Sequence, residues 1–141
     1  MQARKSLRLS GQATVEFALV IVILAMILMG IFDLGRIVYT TAALSNAARE
    51  GARVAAVTSD ANAIRQAVIS KGIGLNIQTN QIAITYLKED GTTTTDRSQA
   101  TAVRVVISNY PFVAITPFVG RVFGSSQSIN LSSSASMTIE R

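Results

Sequence analysis

A single carboxylate, Glu16, stands at the mouth of a run without charge that extends from Phe17 to Phe32. An acid at the edge of such a run is costly to desolvate, and an ionisable group in a membrane segment marks function by default. Two chemistries fit it. Glu16 is either an interfacial acid satisfied by water and the helix dipole, a gain of about 0.3–1 kcal/mol, or a buried acid that awaits a cation from another chain. The remaining acids offer less. Glu89, Asp90 and Asp96 crowd one loop without the alternating ligands of a calcium loop. Ser70 and Lys71 are adjacent and cannot face each other on a helix. The chain has no histidine and no cysteine. That excludes Ser-His-Asp triads, Cys-His pairs, His-ligated zinc, thiolate sites and disulfides. No enzyme, cofactor or metal site is expected.

The element that positions Glu16 is a long N-terminal helix. Arg4, Lys5 and Arg8 precede the apolar run, and no acid lies among residues 1–11. The positive-inside rule therefore leaves this end in the cytoplasm and sends everything after Phe32 outside. Without those three cations the net charge of +5 shrinks to ten basic against eight acidic residues. No basic stripe with interleaved aromatics remains, so no nucleic-acid partner is expected. Val15 to Phe32 is 18 residues, about 27 Å of helix and near the lower limit for crossing a bilayer. Phe17, Leu19, Ile21, Ile23, Leu24, Ile27, Leu28, Ile31 and Phe32 supply its apolar surface. Glu16 then sits near the cytoplasmic edge, not at the centre. A cleavable secretory signal is a poorer reading. The next small-x-small triplet, Ser45-Asn46-Ala47, lies far beyond the apolar run.

The helix should continue past the span, since no proline precedes Pro111. Asp33 and Arg36 are spaced to pair. Ala43, Ala47, Gly51 and Ala55 recur every four residues, beside a second stripe of Ala48, Ala52 and Ala56. Such stripes admit close backbone approach, either under the chain's own sheet or between subunits. Arg49, Glu50 and Arg53 mark the solvated face. Asp60 caps a short helix over 61–71 that carries Ile64 and Val68 on one face and ends at Gly72.

Residues 81–87 and 102–110 alternate as two strands of a hairpin. Thr92–Thr95 extends their loop, and Pro111 stops the second strand. The apolar connection 112–124 holds Phe112, Ile115, Phe118, Val122 and Phe123, with Thr116-Pro117 opening a short helix. It either closes the core or forms an exposed patch. Residues 128–139 form the last strand, with serines on the outer face. The fold class expected is α+β: a long helix packed by its outer half on a small three-stranded antiparallel sheet with short helices.

These residues also carry a resemblance. Arg4-Lys5, then Gly11-Gln12-Ala13-Thr14-Val15-Glu16-Phe17-Ala18-Leu19, resembles a type IV prepilin signal. The continuation Gly30-Ile31-Phe32-Asp33-Leu34-Gly35-Arg36, then Asn46-Ala47-Ala48-Arg49-Glu50-Gly51-Ala52-Arg53, is similar to TadE-like pseudopilins of the Tad (Flp) pilus system. The resemblance covers roughly residues 8–57. It implies a leader over 1–11, a pilin-like helix over 12–57 and an extracytoplasmic domain over 58–141. It implies cleavage between Gly11 and Gln12 by an aspartyl prepilin peptidase, and subunit assembly through Glu16 and Phe17. The partners implied are that peptidase, other pilins and pseudopilins, and the cytoplasmic membrane, crossed once. The resemblance allows either entry into a surface pilus or a place at its base.

Two departures point away from a main filament subunit and towards a minor pseudopilin. Phe17 follows the acid where major pilins usually have Tyr, and a globular domain is attached. A third, the lack of a proline within Val20-Ile21-Val22-Ile23, implies a straighter helix than in many relatives. The competing reading is an uncleaved single-span protein whose outer domain binds an envelope partner.

Overall fold

The structure, a computed structural model, describes residues 6–116 and 128–140, with side chains from Gly11 onward. Helix α1 runs from Ser6 to Val57 without interruption, 52 residues or about 78 Å. Helix α2, Ala61–Lys71, folds back on it. Asp60 accepts a hydrogen bond from the Asn62 amide, and the Gly72 amide closes the other end on Val68. Both ends fall where the sequence placed them.

The strands are β1 (Ile82–Leu87), β2 (Thr93–Thr94), β3 (Ala102–Val113) and β4 (Ser128–Thr138). They form one antiparallel sheet in the order β2-β1-β3-β4. The expected α+β arrangement holds, with the outer half of α1 on the sheet. Leu44, Ala47, Ala48, Ala52 and Ala55 of α1 are fully buried with Ile64 and Val68 of α2 and Val103, Val105 and Ile107 of β3. The alanine stripes are thus a seat for the chain's own domain. Gly51 is the tightest point. A Cβ there would overlap Val68 Cγ2 and lie 3.3 Å from Val105 Cγ1.

Two expectations are corrected, and a third feature was not anticipated. The sheet has four strands rather than three. Gly91, at φ 80°, lets the Lys88–Gly91 turn close through a Gly91 amide to Lys88 carbonyl bond of 3.0 Å. The β-branched pair Thr93-Thr94 then folds back on Tyr86 and Leu87. Secondly, β3 does not stop at Pro111. It continues to Val113, with Pro111 opposite Asn130. Pairing to β1 ends at Ile107, so beyond that point β3 has a ladder on one side only. A missing N–H is tolerated on such a stretch.

Thirdly, β3 carries a bulge. Between Ile107 and Tyr110 it advances three residues while β4 advances two. Asn109 takes φ 56°, which asparagine adopts more readily than most residues, and its carbonyl accepts from Gln81 Nε2 at 2.9 Å. The extra residue shifts the inward phase from Val103, Val105 and Ile107 to Phe112 and Ala114. Those last two pack with Ile37, Ile129 and Leu131 in a satellite core beside the middle of α1. Of the expected short helix opened by Thr116-Pro117, residues 117–124 lie outside the described residues.

Candidate functional site

The site is α1 itself, in two halves with opposite surroundings. Every residue from Gly11 to Phe32 is exposed except the half-buried Gly30. The nine apolar side chains assigned to the anchor are 49–72% exposed. No part of the described domain covers them, and the helix is long and apolar enough to cross a membrane. A surface this apolar is unstable in water at roughly 25 cal/mol per Å²; it fits a membrane anchor.

Gly11, Gln12, Glu16 and Phe17 are all exposed near the start of this half. One turn of helix brings the Gln12 and Glu16 side chains together, and Gln12 Nε2 donates to Glu16 Oε1 at 3.1 Å. Arg8 belongs to α1 by its backbone, but its side chain, like all of Arg4 and Lys5, lies outside the described residues.

The second half begins at Asp33, one residue beyond the span, and there the environment inverts. Asp33 is fully buried. Its Oδ2 accepts from the Thr116 amide at 2.8 Å and the Thr116 hydroxyl at 2.6 Å. Its Oδ1 accepts from the Ile115 amide at 3.1 Å and pairs with Arg36 at 3.2 Å. Burial is the largest single influence on this carboxyl and raises its pKa. The Thr116 hydroxyl and amide, the Ile115 amide and the Arg36 charge together outweigh burial and hold it at about 2. The Arg36 guanidinium lies 5.1 Å over the Phe112 ring and also donates to the Val113 carbonyl at 3.4 Å. Asp33 and Arg36 thus clamp the end of β3 to the helix where the helix meets the domain.

The Asp33–Arg36 pair was readable from spacing; its hold on residues more than eighty positions away was not. The available signal was positional. Asp33 is the only acid between Glu16 and Glu50, and a lone acid beside a long apolar run needs donors.

A second clamp secures the far end of α1. Arg97 donates to the carbonyls of Ala55, Ala56 and Thr58 at 2.6–2.7 Å, filling acceptors that a helix end leaves open. No feature of the sequence reading pointed to Arg97. The loop acids serve their own turns. Asp90 accepts from the Thr92 amide and hydroxyl, and Asp96 from the Ser98 amide. These bonds lower both carboxyl pKa values, through the Thr92 and Ser98 side chains first. On the solvated face Arg53 pairs with Glu50 at 2.6 Å, and this bond lowers the Glu50 pKa.

No curated protein and no solved structure matches the chain. Residues 11–53 match the family model described as TadE-like protein. The matched segment opens at Gly11, contains Glu16, the exposed apolar run and the Asp33–Arg36 pair, and ends within the buried alanine seat. Over this segment the chain is similar to TadE-like proteins.

Proposed function

We propose that this chain is a minor pseudopilin that helps initiate or cap a Tad-type pilus. It is held in the cytoplasmic membrane by residues 15–32, with its α+β domain outside, and a prepilin peptidase cleaves it between Gly11 and Gln12. The observation that carries this reading is the TadE-like match over residues 11–53, a segment whose first half is an apolar helix left bare by the described domain. Cleavage would put a cationic α-amine on Gln12, one turn from the Glu16 carboxylate. Because that carboxylate stands exposed, with the Gln12 amide as its one side-chain hydrogen-bond partner among the described residues, it is available to the α-amine of a neighbouring subunit. Pairing two charges lowers the cost of carrying both into an apolar assembly. Phe17 and the residues after it would supply the helix-to-helix surface.

The test is the N-terminal sequence of the protein isolated from cells that make the prepilin peptidase and from cells that lack it. The reading expects Gln12 in the first and Met1 in the second. Met1 in both would replace it with the uncleaved single-span protein, and a start near Ala48 would make the apolar run an ordinary signal.

A further inference from the structure

The domain has a polarity along α1. Asp33, one residue past the apolar run, holds Ile115 and Thr116. At the other end of the helix Arg97 holds Ala55, Ala56 and Thr58, and the Glu140 amide meets the Ala56 carbonyl. β3 therefore descends towards the bilayer, and β4, which starts opposite Val113, climbs away from it. Among the described residues at this lower end, Val113 and Ile115 are apolar and open to solvent, 56% and 69% exposed.

Charge follows the same axis. Of the eight acids, Glu50, Asp60, Glu89, Asp90, Asp96 and Glu140 belong to the distal part, and none lies between Asp96 and Glu140. Asp33 is the one carboxylate at the proximal end among the described residues, and it is buried with four donors. The Arg36 side chain remains 45% exposed there. An end with apolar tips, an accessible guanidinium and no open carboxylate suits an anionic lipid surface, where apolar side chains enter the headgroup boundary and acids are repelled.

We propose that the tip Val113–Thr116 is a second membrane contact, in which Ile115 enters the headgroup–acyl boundary of the outer leaflet at a depth set by Asp33. The proposal rests on residues 15–32 spanning the bilayer. Continuity with that span, and the distribution of acids, select lipid over a protein partner.

The chain lacks cysteine, so single cysteines report cleanly. The full-length chain is reconstituted in vesicles of phosphatidylcholine and phosphatidylglycerol, with an environment-sensitive fluorophore at Ile115→Cys, Ile73→Cys or Ile23→Cys. Ile73 is apolar and 80% exposed, but it follows α2, whose Val68 packs at Gly51, several helical turns above Asp33. The Ile115 probe should shift to the blue and be quenched by lipids spin-labelled near the headgroup, while the Ile73 probe should behave as in water. An Ile115 probe as wet as the Ile73 probe overturns the proposal. The Ile23 probe, quenched by lipids labelled deep in the acyl chain, reports the span separately, so a wet Ile115 with a deep Ile23 sinks only the tip contact. Adding Asp33→Asn should abolish most of the Ile115 quenching and leave that at Ile23 intact. Unchanged Ile115 quenching would remove Asp33 from the proposal.

Discussion

Asp33 meets three donors from residues 115 and 116 besides Arg36, so its replacement leaves several buried groups unpaired at once. Asp33→Asn puts an amide NH₂ where one carboxylate oxygen accepted, and either choice of face sets donor against donor. An unsatisfied buried group costs about 1–3 kcal/mol, and denaturant unfolding of the detergent-solubilised chain at pH 7 should show a loss of that order. The folded-state pKa, about 2 against an ordinary 3.8, fixes the sign of the pH dependence. A depressed carboxyl stabilises the fold above the unfolded pKa and loses that contribution as pH falls through the folded one. The gap between the native chain and Asp33→Asn should therefore narrow between about pH 4 and pH 2; a constant gap would mean that charge is not the cause. Arg97→Ala should cost about 1.5–3 kcal/mol, as expected for hydrogen bonds from a charged group, and should speed amide exchange at Val54–Val57. Lysine should restore only part of this, because one ammonium cannot span three carbonyls as a guanidinium fork does. Neither clamp was legible beforehand for one reason: each joins residues dozens of positions apart, and residue type alone does not name a partner at that distance.

At the scale of elements, local chemistry carried most of the fold. The cap at Asp60, the stop at Gly72, and the alternation of β1, β3 and β4 all lie where periodicity and turn residues put them. What escaped depends on neighbours. Pro111 ends a strand where the neighbour on its N–H side needs that donor, and here β1 has already left the ladder at Ile107. The Thr93-Thr94 pair became a strand because a turn delivered it to the free edge of β1. The bulge at Asn109 left its trace as a change in the phase of the apolar residues, which reads as a strand end until the register is known. The alanine stripes were legible as a close-packing surface, but whether they faced a sheet or another subunit needed the structure. Their tightest point yields a prediction. Gly51→Ala gains about 1 kcal/mol of helix propensity but overpacks Val68, whose β-branched side chain has little freedom to move. Overpacking costs about 1–3 kcal/mol, so the net effect should be a loss. Val68→Ala, which is destabilising alone, should cost less in the Gly51→Ala chain than in the native one. Additive losses would show that the two sites are not in contact.

For the whole molecule, the useful contrast is between a bare half and a seated half of one helix. If Glu16 pairs with a neighbour's α-amine, Glu16→Gln should leave the mature N-terminus at Gln12 and reduce the number of pili per cell, counted by electron microscopy. Normal piliation in that variant would end the role assigned to Glu16. The continuity of α1 has a mechanical consequence as well. Hydrogen bonds run unbroken from Ser6 to Val57, and the domain is fastened at Asp33 and again near Ala56. Helix and domain therefore move as a piston, without a joint to take up slack. Withdrawing the 18-residue span from the bilayer requires the domain to rise by the whole stroke, about 27 Å. If the chain is drawn from the membrane as a pilus subunit, a machine can grip the domain alone, since load applied there reaches the bare half of the helix through an unbroken α1.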